Sequence, residues 1–358
     1  MLDLKQHLKT MVETHAPTGY EGALRTVLRE AWQPYVDTFQ QDGLGSLIGI
    51  KQATHPLQTP RRIMLAAHMD EIGLMVRDVV DGFVFVQRIG GLDNRVMLAQ
   101  PVLVHGRQTL PGVVATVPPH LLTPESRRKY AAMDELVIDL GLPAAEVEQL
   151  VRIGDLITND APMIELSGKR LASKAMDDRV CIAAVTVCLE MLKGMSHQWD
   201  VYAAATVQEE LGLYGAATAA DLIHPDIAIA LDVTFAPQPG VDPDEAKGMG
   251  DGPALGVGPN FHLKLNEKLR ETARKHEIKF QDEIIPAESG TDAWAIQVAR
   301  EGIPTALLGI ALRNMHTPVE TIDLRDVERA GRWLAHFIAG LGESFVEDLA
   351  WDELSIYP

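Results

Sequence analysis

Apolar residues recur at helical spacing at Leu4, Leu8, Met11 and Val12, and again at Leu24, Val27, Leu28 and Trp32, with the turn-like stretch APTGY between the two runs. Two helices are predicted there, followed by short strands in LGSLIGI (44–50) and RIMLAA (62–67). From residue 173 onward the pattern alternates. A helix near 178–194 precedes the strand VYAAATV (201–207), a short helix from 215 and the strand DIAIAL (226–231). A helix at about 264–276, a strand near KFQDEII, a helix from about 292, the strand PTALLGI (304–310) and an amphipathic helix over about 324–340 complete the series. Continuous apolar strands alternating with helices predict an α/β domain around a mostly parallel sheet buried on both faces.

Residues 71–165 differ in kind. They are rich in Val, Gly and Pro, with short β-like pieces FVFVQRI, VLVHGR, GVVATV and LVIDLGL and helical stretches only near 123–134 and 144–150. This predicts a mainly β module inserted into the α/β domain, which is itself assembled from residues 1–70 and 166–358. No internal repeat or low-complexity tract interrupts either part.

Composition adds exclusions. The 358 residues, 46% hydrophobic and 23% charged, suit one large globular domain or two. A formal charge of -18 repels phosphate backbones and anionic membrane surfaces, so neither nucleic acid nor membrane is an expected partner. The opening MLDLKQHLKTMVETHAPTGY lacks the charged-then-apolar order of a signal peptide, and no apolar run approaches the roughly 18 residues of a membrane span. A cytoplasmic location is expected. The two cysteines, Cys181 and Cys188, fall in an apolar helical stretch and read as small buried hydrophobes.

The chemistry collects where strands end. RIMLAAHMDEIG closes a buried strand with His68 and Asp70, two residues apart and so on one side of an extended backbone. The next strands finish in Glu209 and Glu210, and in Asp232; His316 follows PTALLGI, and Asp177 and Asp178 open a helix. Taken singly, such residues are commonly loop histidines, N-caps or solvated turns. Together they place five ligand-type features at the carboxyl edge of one sheet, where open α/β sheets carry their sites. Two histidines and several carboxylates, without ligand cysteines, suit Zn, Co or Mn. With a bridging carboxylate they could hold two ions about 3.5–4 Å apart, the spacing of co-catalytic hydrolases.

The segments AAHMDEIG, KAMDDRV, ATVQEELGLYGA, ALDVT, SGTDAWAIQVAREGIPTALLGI and MHTPVE, in this order, resemble the M42 family of dinuclear metallo-aminopeptidases, also called the tetrahedral or glutamyl aminopeptidase family. The likeness runs through the inserted module, in IGGLDNRVMLAQPVLVHGR, LPGVVATVPPHLL and LVRIGDLIT. It implies two divalent ions per subunit: one bound by His68 and Asp232, the other by Glu210 and His316, with Asp177 bridging and a cis peptide after it. Asp178 is then the bridge's neighbour, a position that asparagine also fits. Glu209 would be the general base, and Asp70 would orient the His68 imidazole, though Asp70 also reads as a plain strand-end cap.

Departures from the family pattern gather near the expected substrate mouth. Asn314 stands where an aromatic is common, Glu288 and Ser289 where glycines are common, and Trp294 follows Asp292. None removes a predicted ligand. Asp292 and Arg313 are the candidate substrate-binding residues, Arg313 being the basic residue near His316 that could favour an acidic side chain. The reading is an aminopeptidase acting on short peptides, whose inserted module is the family's dimerisation and assembly domain within a twelve-subunit particle. Two alternatives stay open: an amide deacylase or deacetylase on the same scaffold, and a non-enzymatic assembly protein stapled by metal. Glutamyl, leucyl and lysyl preferences are equally open at this level.

Overall fold

In a computed structural model describing residues 2–350, eight strands form one mixed sheet. Residue 1 and residues 351–358, part of the catalytic domain expected from sequence, lie outside the described residues. Four central strands, Asp200–Thr206, Arg62–His68, Ile227–Phe235 and Thr305–Leu312, are neighbours in that order and run parallel. The flanks differ from the mostly parallel expectation. On one side Leu47–Lys51 pairs antiparallel with both Asp200–Thr206 and Thr38–Gln41; on the other Ala254–Val257 runs antiparallel to Thr305–Leu312 and parallel to Gln281–Ile284. The turn between Thr38–Gln41 and Leu47–Lys51 is too short for the crossover that parallel pairing requires, so this edge folds as a hairpin.

Side-chain alternation divides the core. Odd positions such as Ile63, Leu65, Val201, Ala203, Ile229 and Leu231 pack against the helices Met176–Leu192 and Leu324–Ala339. Even positions such as Met64, Ala66, Ala204, Ala228 and Ala230 pack against Tyr214–Ile223 and Asp292–Ile296. Met176–Leu192 is buried on nearly every side, so its apolar residues show no stripe. Cys181 and Cys188 are buried free thiols within it. Among the described residues no helix is long and apolar enough to cross a membrane.

Six strands between residues 73 and 159 close into a barrel with its own apolar core, which includes Leu74, Val76, Val84, Val102, Val114, Ile138 and Ile157. The helix expected near 144–150 is present as Ala144–Leu150. The one expected near 123–134 is not: that stretch holds only the 3₁₀ turns Ser126–Arg128 and Met133–Glu135. Its one large ring, Tyr130, is 77% exposed, so no apolar face exists to hold a helix down.

A buried ion network fixes the segment after Arg62–His68. Glu71 accepts from Lys174 Nζ at 2.6 Å, Arg179 Nη2 at 3.1 Å and the backbone of Ala16 at 2.8 Å. Arg179 also donates to the carbonyls of Met11 and Thr14, at 2.7 and 2.5 Å, tying the N-terminal helix to the site. Burial raises the Glu71 carboxyl, but the two cations outweigh it and hold it at about 2, against 4.5 normally. Buried Lys174, repelled by Arg179, is itself pulled down to about 8, so the network favours the charged carboxylate more than the charged lysine.

Glu71→Ala leaves two cations unpaired in the core and is expected to lower the unfolding free energy by about 3–5 kcal/mol, read by urea denaturation. A folded pKa below the unfolded one gives stability that is full above pH 4.5 and lost as pH falls through about 2. The advantage of wild type over Glu71→Gln should shrink over that window.

Candidate active site

The carboxyl ends of the parallel strands converge as expected. His68 ends its strand with Nε2 3.1 Å from Asp177 Oδ1, and the other oxygen of Asp177 lies 3.5 Å from His316 Nε2. One carboxylate thus spans two imidazoles. His316 Nε2 is also 3.5 Å from Glu210 Oε1, and His68 Nε2 is 3.9 Å from Glu209 Oε2. Ligand atoms of Asp177, Glu210 and His316 lie within 4.8 Å of one another, as do those of His68, Asp178 and Asp232 and those of His68, Glu209 and Glu210. The Asp177–Asp178 peptide bond is cis. Asp178, the residue after the expected bridge, lies in the cluster with His68 and Asp232.

Local backbone geometry explains how adjacent glutamates both face inward. Gln208 takes a left-handed conformation, φ 56°, and turns the chain immediately before Glu209 and Glu210. Asp70 fixes that turn. Its Oδ1 accepts from the Glu209 N–H at 3.1 Å, and its Oδ2 from the Glu210 N–H at 3.2 Å and the Thr18 hydroxyl at 3.0 Å. Asp70 Oδ1 also lies 3.4 Å from His68 Nδ1, so this buried carboxylate faces the imidazole as well as the glutamate turn.

Electrostatics follow from burial and crowding. Burial, reinforced by Asp232, Asp292 and Glu210, pushes Glu209 up to about 10, and burial with Asp177 pushes Glu210 up to about 7. Asp178 and Asp232 are raised well above the carboxylate range, by burial first and by like charge second. The hydrogen bond to Asp177 raises His316 to about 9. Burial opposes charge on His68, yet Glu209, Asp177 and Asp70 together raise it. Among the described residues, both buried carboxylate oxygens of Asp178 have no hydrogen-bond partner. Imidazole nitrogens and carboxylate oxygens without thiolate, including these orphaned oxygens, fit one or more divalent cations of the Zn, Co or Mn type.

Two groups escaped the sequence reading. Glu320, buried, accepts from the His316 N–H at 2.8 Å and the Asp177 N–H at 3.1 Å, holding both residues through their backbones. The signal was available as the last letter of MHTPVE. The glycine pair after Phe83–Ile89 is the second: a Cβ on Gly91 would stand 2.5 Å from His316 Nδ1, and one on Gly90 3.2 Å from Glu210 Oε2. Gly91→Ala should displace His316 and lower kcat/KM by about 10–100-fold, comparable to losing a group that supports a metal ligand, and initial rates at varied metal concentration would measure it.

The two candidate substrate residues are placed differently. Asp292 is 1% exposed and accepts from Thr206 Oγ1 at 2.5 Å, so it lies beneath the site. Arg313 is partly exposed, and its Nε donates to the Pro237 carbonyl at 2.8 Å.

Comparison with known proteins decides the family. The profile of the M42 glutamyl aminopeptidases matches residues 45–332. The chain belongs to this M42 family. A lysyl aminopeptidase of Pyrococcus furiosus is 36% identical over 328 residues, 90% of this chain and 92% of the relative. The crystal structure of a TET aminopeptidase from a marine-sediment Thaumarchaeota archaeon superposes with a TM-score of 0.91 at 32% identity, covering 97% of this chain and 99% of the other. The TET1 peptidase of Pyrococcus horikoshii gives 0.82 at 27% identity, covering 95% and 100%; it can assemble into a tetrahedron or a large octahedral shell. As an M42 member the chain is a peptide-bond hydrolase, an aminopeptidase of a metal-dependent family, and the clustered ligands agree with that chemistry. The non-enzymatic alternative is thereby set aside.

Proposed function

We propose that this M42 aminopeptidase is dinuclear and removes N-terminal residues from short peptides. The observation that carries this reading is Asp177, whose two oxygens face His68 on one side and His316 on the other. His68 and Asp232 would hold one ion, Glu210 and His316 the second, and Asp177 would be shared. Zn, Co or Mn in these positions would polarise the scissile carbonyl and make water acidic enough to attack near neutral pH.

The chain's own residues handle orientation and the proton. Asp70 keeps the His68 ring and the Glu209–Glu210 turn in one geometry. Glu209 would take the proton of the attacking water on its carboxylate and pass it to the leaving amine. Its carboxylate stands beside the ligands, Oε2 3.9 Å from His68 Nε2, where the attacking water would be held. Glu320 anchors Asp177 and His316, so the shared ligand and its neighbour move together.

Residues 71–165 are proposed as an inserted dimerisation module, and residues 1–70 with 166–358 as the catalytic domain. By analogy with the TET1 peptidase, which a second structure shows as a dodecamer in the asymmetric unit, the protein would form a homo-oligomer, a dodecamer; a cytoplasmic place of work is proposed with it. The relatives' names do not pass on a side-chain preference, since the family profile is glutamyl and the Pyrococcus furiosus relative lysyl. Chelation followed by readdition tests the metal assignment: hydrolysis of a free-amine substrate should vanish and return as two ions bind per chain. A single ion restoring full activity would contradict it.

A further inference from the structure

One carboxylate on the site-bearing face of the sheet belongs to none of the metal-ligand clusters. Glu283 lies on the edge strand Gln281–Ile284, where its register partner is Gly256. Two strands separate it from Ile227–Phe235, and the nearer side chain on the intervening strand Thr305–Leu312 is missing because that position is Gly309. A Cβ there would come within 3.1 Å of both Glu283 Oε2 and Thr234 Cγ2. Glu283 uses this gap to cross the sheet face, and its Oε1 accepts a hydrogen bond from Thr234 Oγ1.

That position is tied to the reaction centre by strand geometry. Gly309 is the register partner of Asp232, and Thr234 follows Asp232 by two residues, on the same face and nearer the carboxyl end of the strand. The Glu283 carboxylate, though its backbone lies beyond two strands, thus reaches Gly309, which stands roughly one strand spacing, about 5 Å, from the backbone of Asp232, a proposed metal ligand.

Charge points one way. Thr234 occupies Oε1, and among the described residues no donor pairs with Oε2. Lys247 is the cation that bears on Glu283, but the two form no ion pair, and burial outweighs its effect. Arg313, the cation considered for an acidic side chain, has its Nε engaged by Pro237.

We propose that Glu283 reads the side chain of the substrate's first residue and makes lysine and arginine preferred over apolar and acidic residues. The proposal rests on the aminopeptidase reading and names its substrate class. A long side chain ending in an ammonium or guanidinium would give Oε2 its donor while Thr234 keeps the carboxylate in place. An acidic side chain would meet like charge, and leucine would leave the carboxylate without a partner.

The test compares kcat/KM for lysyl-, arginyl-, leucyl- and glutamyl-p-nitroanilide with metal-loaded, full-length protein, alongside Glu283→Gln and Glu283→Lys. Wild type is expected to favour the lysyl and arginyl substrates over the leucyl one by about 10–100-fold, the worth of one charged hydrogen bond. Glu283→Gln should bring that ratio close to one, and Glu283→Lys should favour the glutamyl substrate. Residual leucyl turnover shows that a variant has folded, and the wild-type ratio tests the proposal without any variant. A wild-type preference for leucine or glutamate overturns it, as does an equal loss on lysyl and leucyl substrates in Glu283→Gln. If wild type cleaves none of the four, the aminopeptidase reading itself has failed, and this inference with it.

Discussion

Glu209→Gln is expected to lower kcat by about 10²–10⁴-fold while leaving the bound metal unchanged. The substitution keeps the volume and the backbone N–H that Asp70 holds at 3.1 Å, so the turn survives. It removes only the ability to accept and return a proton. Glu209 Oε2 stands 3.9 Å from His68 Nε2, beside the ligands, while the clusters built on Asp177 and on Asp232 are each complete without it. Metal analysis of the variant together with steady-state kinetics separates the outcomes. A loss of metal equal to the loss of rate would make Glu209 a ligand instead of a base.

Asp177→Ala should be more damaging still. It removes the carboxylate lying between His68 and His316, so on the proposed dinuclear reading both ions would lose a ligand together. The fall in kcat/KM should exceed the roughly 10–100-fold that accompanies loss of a merely supporting group, and both ions should be lost on dialysis. Asp178→Asn provides the contrast. Asp178 shares a cluster with His68 and Asp232 and none with His316, and the substitution keeps its shape. Metal content by mass spectrometry is expected to stay near two per chain in Asp178→Asn and to approach zero in Asp177→Ala. The reverse order would transfer the bridging role to Asp178.

What the sequence disclosed, it disclosed through periodicity and strand ends. The buried parallel strands are continuous apolar runs, so the first polar residues that close or interrupt them stand out, Asp232 lying inside Ile227–Phe235, which runs on past the end expected from sequence. His68, Glu209, Glu210 and Asp232 were legible for that reason. Glu320 was not singled out, because it acts on the backbone N–H groups of Asp177 and His316 rather than through a strand-end motif of its own. The Glu71–Lys174–Arg179 network joins residues more than a hundred positions apart, and no local pattern encodes it. Gly91 matters only because a side chain there would strike His316, a contact fixed by the barrel's placement. The antiparallel edges escaped because short strands of four or five residues carry too little alternation to reveal direction. The missing helix near 123–134 shows the converse, a polar stretch of helix-compatible residues with no apolar face to bury.

The central claim is a metal-dependent aminopeptidase in which Glu209 moves the proton, and its most direct measurement is hydrolysis of paired aminoacyl-p-nitroanilides, free and N-acetylated, by protein reconstituted with Zn, Co or Mn. Turnover of the free-amine substrates is expected, with none of the acetylated ones and loss of turnover in Glu209→Gln with metal retained. Cleavage of the acetylated substrates in preference to the free amines would contradict it and point to a deacylase on this scaffold.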